Sequence, residues 1–396
     1  MLLYLLALNP TDSVSEGFLP AAATLGMEVT ILTDQPDPHR TRHPDITVVR
    51  CDLRSSDAVV ATIAALPAPD VIFTNSDHLQ AQAALAAAYF GLPGKDWRTA
   101  WRVKNKAEMR RRLTACGLDV VWHAELLQDR NPDALTALDV PFPCVVKPRE
   151  GVASEDVVQV GRMTDLLRCC KEIRHRRPNT ALVVEEYLDG DLCTLETLGD
   201  AQRRQVLGGF LTRLSAAPHF IELRHTFTAA HPQPVTDQVM AQLDALGIGF
   251  GSCHTEFVVT NGRARLIEVN YRSIGDQCDL LLQDALEIPL FERILRTHLG
   301  EPLPDDLGFR TDRAARIDHV CAPASGTLIS APAAADLVVD GVALSYRPLR
   351  EIGTPHELAH TNRDYVGVLR AVGNCSAAVD QAAEQFLAGQ RWEVAS

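Results

Sequence analysis

The stretch that most constrains how this chain can fold is residues 256–275, EFVVTNGRARLIEVNYRSIG. It contains two short runs rich in apolar and β-branched residues, 257–260 and 264–269, on either side of the pair Asn261-Gly262. Two such runs around an Asn-Gly pair are the strongest short-range signal for a β-hairpin with a type I′ turn. The sequence therefore predicts an antiparallel hairpin at this point.

The polar residues of the hairpin form a candidate metal site. Glu256 opens the first strand, and Glu268 and Asn270 close the second. Because residues two apart on a strand share a face, we expect Glu268, Asn270 and Arg272 to project together, with Glu256 brought alongside by the pairing. Two carboxylates and an amide oxygen suit Mg²⁺ and suit zinc poorly, while an arginine suits a phosphate or carboxylate. For an isolated hairpin, the alternative is a solvated face of alternating polar residues.

Composition excludes several classes of protein. At 396 residues, the chain is long enough for two or three domains, and its hydrophobic share of 46% is ordinary for a globular protein. A net charge of -13 argues against a nucleic-acid surface, which would need a basic patch. The ten cysteines form no C-x-x-C pair, so we expect reduced thiols in a cytoplasmic protein. Residues 1–8 are apolar for only one strand's length and lack a basic flank, which predicts neither a signal peptide nor a membrane span.

The first hundred residues alternate apolar runs with helical stretches. LLYLLAL at residues 2–8 is followed by an Ala-rich helix that ends near Gly26 and then by the run MEVTILT. Strands near 46–49 and 71–73 and a helix over 78–89 continue the pattern. This alternation predicts β/α units with a parallel sheet, which is an α/β arrangement. The glycine-rich dinucleotide fingerprint is missing after the first strand, so we do not expect NAD to bind there.

Two lysines are candidates for binding phosphate groups. Lys106 lies in the pattern N-K-x(10)-G, with Lys104 as a nearby competitor, and for either lysine alone an exposed helix face is the alternative. Lys147 ends the apolar run FPCVVKP. An unpaired ammonium at the edge of a core costs several kcal/mol, so this lysine needs a partner. A phosphate would serve.

Taken in order along the chain, these motifs resemble the ATP-grasp superfamily. E…E-x-N-x-R-x-x-G is similar to the metal-binding end of that family, N-K-x(10)-G to its first phosphate-binding lysine, and REGVASEDVVQV to its phosphate loop, although this loop is poorer in glycine. EEYL at 185–188 is similar to the segment that binds adenine through its main chain and the adenine amino group and ribose through its carboxylates. The resemblance implies that ATP is bound by Lys106, Lys147, Gly151, Ser154, Glu185, Glu186 and Leu188.

The resemblance also implies a domain organisation. We expect an ATP-grasp fold of the α/β (α+β) class, with a Rossmann-like pre-ATP-grasp domain over 1–98. The ATP-grasp domain would cover 99–305, with its lid over about 118–190, and would end in a long amphipathic helical region after Gly275. A C-terminal subdomain would cover 306–396, where the string TPHELAHTNRDYVG is similar to the L-amino-acid ligase branch of the family.

An activity follows from the same resemblance. ATP would phosphorylate a substrate carboxylate, and an amine would attack the acyl phosphate to form an amide. Mg²⁺, with Mn²⁺ as an alternative, would lie on Glu256, Glu268 and Asn270, while Arg272 and the backbone N–H near Gly275 would stabilise the oxyanion. In the dipeptide-ligase branch, an E-x-x-H pair such as Glu222 and His225 meets the amino-acid substrate. In isolation, that pair could equally be two satisfied polar residues at the edge of the core.

The substrates do not follow from these residues. The string EVNYRSIGDQCDLL resembles siderophore ligases of the vibrioferrin type, so an amide in a siderophore or similar natural product ranks first and a general L-amino-acid ligase second. A nucleotide-binding protein without ligase activity, or a phosphotransferase that makes acyl phosphates, is a third class. The expected partners are a small-molecule carboxylate and amine, with no nucleic acid and no membrane, and members of the family are often homodimers.

Overall fold

The computed structural model describes residues 1–308, 310 and 312–395, so three residues of the predicted C-terminal subdomain lie outside it. Its first sheet contains four parallel strands in the order β3-β2-β1-β4. Residues 3–6 of the inner strand β1 are at most 1% exposed, because helices cover both faces of this parallel sheet. The strands are β1 Leu2–Leu6, β2 Glu28–Thr33, β3 Thr47–Arg50 and β4 Val71–Phe73. The α-helices are α1 Leu19–Thr24, α2 Pro36–Arg42, α3 Ser56–Ala64, α4 Gln80–Tyr89 and α5 Trp97–Lys104, with a π-helix at Ser13–Phe18 and a 3₁₀ turn at Asp77–Leu79.

The second sheet lies in the predicted lid. Its four antiparallel strands have the order β5-β8-β6-β7. They are β5 His123–Leu126, β6 Cys144–Pro148, β7 Val158–Val160 and β8 Leu182–Glu186, and the neighbouring helices are α6 Lys106–Ala115 and α7 Met163–Arg176, with a 3₁₀ segment at Pro132–Ala137. Helix α7 packs on this sheet through Leu166, Cys169, Cys170 and Ile173. Their spacing is that of an amphipathic helix with one apolar stripe.

The third sheet is the largest and carries the hairpin. Its nine antiparallel strands have the order β13-β12-β9-β10-β11-β14-β19-β17-β16. The strands are β9 Leu192–Asp200, β10 Arg204–Leu214, β11 Glu222–Thr228, β12 Phe250–Thr260, β13 Arg263–Asn270, β14 Ala314–Cys321, β16 Ala335–Val339, β17 Val342–Pro348 and β19 Tyr365–Gly373. A small sheet has the order β18-β15-β20, from β15 Gly326–Ser330, β18 Pro355–His356 and β20 Glu393–Ala395, and a last 3₁₀ turn spans Asn362–Asp364. The nine-stranded sheet continues past residue 305, where the sequence predicts a domain boundary, and both predicted domain boundaries stay predictions.

The remaining helices pack on the nine-stranded sheet. They are α8 Gln233–Leu246, α9 Cys278–Leu286, α10 Leu290–His298 and α11 Ser376–Ala388. The predicted helical region after Gly275 is present but consists of two helices, because the chain breaks between α9 and α10. Glu287 there has a positive φ of 54°, and Pro289 cannot donate the N–H that a continuous helix needs. Within the part of the chain that the structure describes, no helix is long and apolar enough to cross a membrane.

The predicted hairpin is present as strands β12 and β13. Asn261 and Gly262 connect them with φ angles of 53° and 73°. A type I′ turn requires positive φ at both central residues, which Asn and Gly tolerate best. The prediction from the Asn-Gly pair is therefore confirmed, and the hairpin forms one edge of the largest sheet.

Candidate active site

One cleft collects the candidate residues that the sequence predicts. It lies between the first sheet, the lid sheet and the nine-stranded sheet and has a volume of about 430 Å³, which is within the range of small-molecule sites. All fourteen predicted residues line it: Lys106, Lys147, Gly151, Ser154, Glu185, Glu186, Leu188, Glu222, His225, Glu256, Glu268, Asn270, Arg272 and Gly275. The structure thus brings them together, while their individual roles stay predictions.

The hairpin presents its polar residues on one face. In the pairing of β12 with β13, Glu256 lies opposite Glu268, and His254 lies opposite Asn270. Directly opposed residues of an antiparallel pair share a face, so all four side chains point to the cleft. The amide nitrogen of Asn270 is 3.3 Å from Glu256 Oε1. A bulge leaves Ile267 without an opposing residue, so that Ile267 and Glu268 both line the cleft although they are neighbours in sequence.

This donor set fits a hard divalent cation. Burial raises the pKa of Glu268, against the ammonium of Lys106 and with the help of the Glu256 carboxylate. A cation between two such close carboxylates reduces their mutual repulsion and stabilises their charged forms. Among the described residues, no three His, Cys, Asp or Glu side chains group as metal ligands. The protein would therefore supply two carboxylates and the Asn270 amide oxygen, as Mg²⁺ sites that keep several waters do.

Lys106 lies directly at this carboxylate pair. Its Nζ is 2.7 Å from Glu268 Oε1 and 3.3 Å from the carbonyl oxygen of Gly151 in the phosphate loop. Lys104, the competing candidate, donates instead to the carbonyl of His78 at 3.3 Å and is not among the residues that line the cleft. The structure therefore favours Lys106 over Lys104 as the lysine of the site.

His254 is a residue of the site that the sequence reasoning missed. Its Nδ1 is 2.7 Å from Glu196 Oε1, and its Nε2 is 3.4 Å from Glu256 Oε1. Burial alone would lower the pKa of His254, but the two carboxylates outweigh burial and raise it to about 10. The imidazolium therefore links Glu256 to strand β9 and holds it in place. Its position two residues before Glu256 on the same strand face was a signal that could have found it.

Glu185 is bound by two cations of the protein. Both of its oxygens accept hydrogen bonds from Arg110, at 2.9 and 3.0 Å, and its Oε2 is 2.8 Å from Lys147 Nζ. Burial alone would raise the pKa of Glu185, but the two cations hold it well below its ordinary value. The carboxylate that was expected to bind the nucleotide is thus committed to a buried ion cluster. The same carboxylate is the partner that Lys147 needs in the structure.

Glu186 is also engaged within the protein. Its Oε1 accepts from the main-chain N–H of Trp122 and from Arg265, both at 2.9 Å. This arrangement differs from the predicted one, in which the carboxylates of 185–188 bind the amino group and ribose of the nucleotide. Leu188 lines the cleft together with other apolar side chains: Val145, Leu192, Leu214, Phe220, Val258 and Ile267. Leu188, Leu192 and Val258 pack together with Leu214 and Ile267, so this part of the cleft is apolar and can receive a flat ring.

Glu222 and His225 meet because strand β11 is irregular. Residues three apart on a regular strand face opposite sides. In the pairing with β10, Glu222 lies opposite Leu214 and His225 opposite Thr212, and a register shift between them leaves Leu223 as the extra residue. Glu222 and His225 therefore share a face, with His225 Nε2 3.2 Å from Glu222 Oε2. The hydroxyl of Thr212 lies 3.0 Å from His225 Nδ1.

Arg272 reaches the cleft from a loop and not from the strand, which ends two residues earlier. Glu268, Asn270 and Arg272 line the same cleft as expected, but a loop and not the strand period presents Arg272. The loop is held by the N-terminal part of the chain, because Ser273 N–H donates to Asn75 Oδ1 at 3.1 Å and Lys95 donates to the Tyr271 carbonyl. Burial lowers the pKa of Lys95 to about 7. Asn75 and Lys95 were not predicted as residues that support the site.

Comparisons with known proteins give one family model and a curated relative. A model of the family described as ATP-grasp domain matches residues 140–280. A protein of Sinorhizobium fredii (strain NBRC 101917 / NGR234) described as uncharacterized protein y4rH is 28% identical over 371 residues, with 88% of this chain and 74% of that protein covered.

Similar solved structures cover nearly the whole chain. The L-amino acid ligase from Bacillus licheniformis has a TM-score of 0.83 at 21% identity, with 100% of this chain and 99% of that chain covered. Phosphoribosylglycinamide synthetase from Anaerococcus prevotii has a TM-score of 0.74 at 14% identity, with 100% and 99% covered. The biotin carboxylase domain of Hydrogenobacter thermophilus 2-oxoglutarate carboxylase, solved with MgADP, has a TM-score of 0.73 at 14% identity, with 100% and 91% covered. The predicted ATP-grasp fold is therefore confirmed, and residues 140–280 match the ATP-grasp domain.

Proposed function

We propose that this protein is an ATP-dependent carboxylate-amine ligase that forms an amide and releases ADP and phosphate. The observation that carries the proposal is the content of the cleft. A carboxylate pair with an amide oxygen, two buried lysines, an arginine and a Glu-His pair all line one space of about 430 Å³. Such a set can bind a polyphosphate, a carboxylate and an amine side by side, which is what an amide-forming ligase needs.

ATP would lie along the lid side of the cleft. Its base would fit the apolar end next to Leu188, and its phosphates would extend toward Lys106 and Lys147, which are buried and have Glu268 and Glu185 as partners. A phosphate would share these ammonium groups with the carboxylates, since each ammonium has three N–H donors. In this arrangement, Glu185 orients Lys147 and does not contact the nucleotide.

Glu256, Glu268 and Asn270 would hold Mg²⁺, with Mn²⁺ as the alternative, and the cation would neutralise charge during transfer of the γ-phosphoryl group. The chain's own residues then have distinct tasks. His254 fixes Glu256, since it lies between that carboxylate and Glu196. Lys106 lies between the carboxylate pair and the phosphate loop, where it would bind a phosphate oxygen.

The two substrates would meet at the opposite end of the cleft. A carboxylate oxygen of one substrate attacks the γ-phosphorus of ATP, which gives an acyl phosphate and ADP. The amine of the other attacks the acyl carbon, and phosphate leaves with the oxygen that came from the carboxylate. Arg272 would orient the carboxylate, the backbone N–H near Gly275 would stabilise the oxyanion, and the Glu222-His225 pair would hold the amine and accept its proton.

Two substrate classes are proposed. The first is a carboxylate and amine of siderophore or similar natural-product biosynthesis, on the resemblance of residues 268–281. The second is a pair of L-amino acids, which the likeness to the solved L-amino acid ligase favours. A protein that forms acyl phosphates without joining an amine is the alternative in a different class. A homodimer and a cytoplasmic location complete the proposal.

A screen of substrates tests the function. Carboxylates, including citrate and the common amino acids, are combined with amines, and ATP-dependent phosphate release is followed by mass spectrometry of the products. We expect one pair to give an amide in equal amount to ADP. Phosphate release with an acyl phosphate product and no amide in any combination would contradict ligase activity and support the kinase class.

A further inference from the structure

A short C-terminal segment, residues 361–365, contacts two parts of the cleft wall: the loop over residues 150–157 and Glu222 of strand β11. We call it the C-terminal turn, and we call residues 150–157 of the lid the phosphate loop. The turn lies more than 200 residues after the loop in sequence, and none of the fourteen predicted residues belongs to it. Asn362 and Arg363 of this turn nevertheless line the cleft.

The turn forms two contacts with the phosphate loop. Arg363 forms an ion pair with Glu155 of the loop, and the N–H of Asn362 donates to the carbonyl of Ala153 at 3.3 Å. The side chain of Arg363 is 63% exposed and that of Glu155 is 15% exposed, so the arginine reaches from the surface onto a largely buried carboxylate. Within the lid, Arg177 at the end of α7 pairs with the same carboxylate.

The turn also binds the main chain of Glu222, the residue proposed to hold the amine. Asn362 Oδ1 accepts the N–H of Glu222 at 3.1 Å, and the hydroxyl of Tyr365 donates to the Glu222 carbonyl at 2.6 Å. Both main-chain groups of Glu222 are therefore bound by the C-terminal turn. Asn362 is the shared element, because its main chain binds the loop and its side chain binds Glu222.

Hydrogen bonds within and around the turn hold its conformation. Thr361 and Asp364 form a capping box around it. Asp364, which is 1% exposed, also accepts from Ala359 N–H at 2.9 Å and lies 3.1 Å from His356 Nε2. Because these hydrogen bonds fix the turn, a change within the turn should affect both the phosphate loop and Glu222, which it binds.

We propose that Arg363 is a positioning residue that holds the phosphate loop closed over the nucleotide and at a fixed position relative to Glu222, the residue assigned to the amine. It acts through its ion pair with Glu155. The loop in its closed position excludes water from the acyl phosphate until the amine attacks. The chemical consequence rests on the proposed function, whereas the link between turn and loop does not.

Amide hydrogen exchange of the nucleotide-free protein tests the link without any substrate. In Arg363→Ala, we expect exchange in residues 150–157 to rise at least about threefold, the upper part of what an exposed ion pair supports. Exchange at the Glu222 amide should rise as well, because it hydrogen-bonds to the same turn. Arg363→Lys should return part of the protection.

The matched control is Arg177→Ala, which removes the other cation on Glu155 from within the lid. It should raise exchange in the loop but leave the Glu222 amide unchanged, because Arg177 pairs with Glu155 and does not contact the turn that binds Glu222. Unchanged exchange in both regions of Arg363→Ala would overturn the proposal. An equal effect of Arg177→Ala on Glu222 would overturn it too, since Glu222 would then respond to any loosening of the loop and not specifically to the loss of Arg363.

Once a substrate pair is known, the ratio of amide to ADP gives the chemical readout. Arg363→Ala should raise the KM for ATP and lower this ratio below one, because water reaches the acyl phosphate through the loosened loop. A ratio that stays at one would overturn the role in water exclusion. If no amide forms in the wild type, the proposed function has failed, while the exchange experiment still decides the link.

Discussion

Replacing Lys106 by Met should change the affinities for two ligands in opposite directions. The methionine keeps most of the side-chain volume but removes the ammonium that lies 2.7 Å from Glu268 Oε1. ATP loses a positive partner for its phosphates. Free Mg²⁺ should bind more tightly, because the Glu256-Glu268 pair then has no competing ammonium. A merely structural lysine would not produce these two effects together.

The magnitude follows from the contact that is lost. A hydrogen bond to a charged group contributes about 1.5 to 3 kcal/mol, so the Kd for ATP should rise about 10- to 150-fold. Adenosine, which carries no phosphate, should bind within about twofold of the wild type on the same reasoning. For Mg²⁺ without nucleotide, removal of one positive charge beside the carboxylates should tighten binding several-fold.

Isothermal titration calorimetry with ATP, adenosine and Mg²⁺ measures all three affinities. Lys104→Met is the matched control, because this neighbouring lysine donates to the His78 carbonyl and does not line the cleft. It should leave the three affinities unchanged. Equal losses of ATP and adenosine binding in Lys106→Met, or an ATP loss of the same size in Lys104→Met, would refute the assignment of Lys106 to the phosphates.

Three further predictions concern the other parts of the cleft. Glu268→Gln removes one anionic metal ligand at nearly constant shape and should abolish ADP formation with an unchanged circular dichroism spectrum; turnover within a few-fold of the wild type would exclude the metal site. Glu222→Ala should keep acyl phosphate formation, trapped as a hydroxamate with hydroxylamine, but lose the amide, whereas Arg272→Ala should lose both; loss of both in Glu222→Ala would place that residue in the donor site. Arg110→Met leaves Glu185 underpaired in the core and should cost about 3 to 5 kcal/mol in urea unfolding at pH 7. The pKa of Glu185 in the folded protein lies below its unfolded value, so the stability from the ion pair is present above about pH 4.5 and is lost on acidification. The difference in unfolding free energy between wild type and variant should therefore shrink below about pH 4. A difference that is constant with pH would contradict the ion cluster.

The sequence predicts the site best where its signals are local. The Asn261-Gly262 pair determines the turn, and the strand period places Glu268 and Asn270 on one face, because both effects depend only on residues close in sequence. The same local reasoning could have found His254, and Pro289 was a visible signal for the break between α9 and α10. These features needed no knowledge of the tertiary structure.

The rest of the site depends on contacts between distant parts of the chain. Arg110 captures Glu185 across 75 residues, and Asn362 binds Glu222 across 140. No periodicity or spacing indicates such partners. Likewise, the bulge at Leu223 that brings Glu222 and His225 together comes from the register of β11 with β10, which the residues of β11 alone do not determine.

The most direct test of the ligase account follows one oxygen atom. The carboxylate substrate found in the screen is labelled with ¹⁸O in its carboxyl group and incubated with ATP and the amine. If an acyl phosphate forms, the carboxylate oxygen that attacks the phosphorus must leave with phosphate, so the account predicts one ¹⁸O in each phosphate released and one amide for each ADP. Unlabelled phosphate alongside ADP would contradict carboxylate activation, because the phosphoryl group would then have been transferred to water.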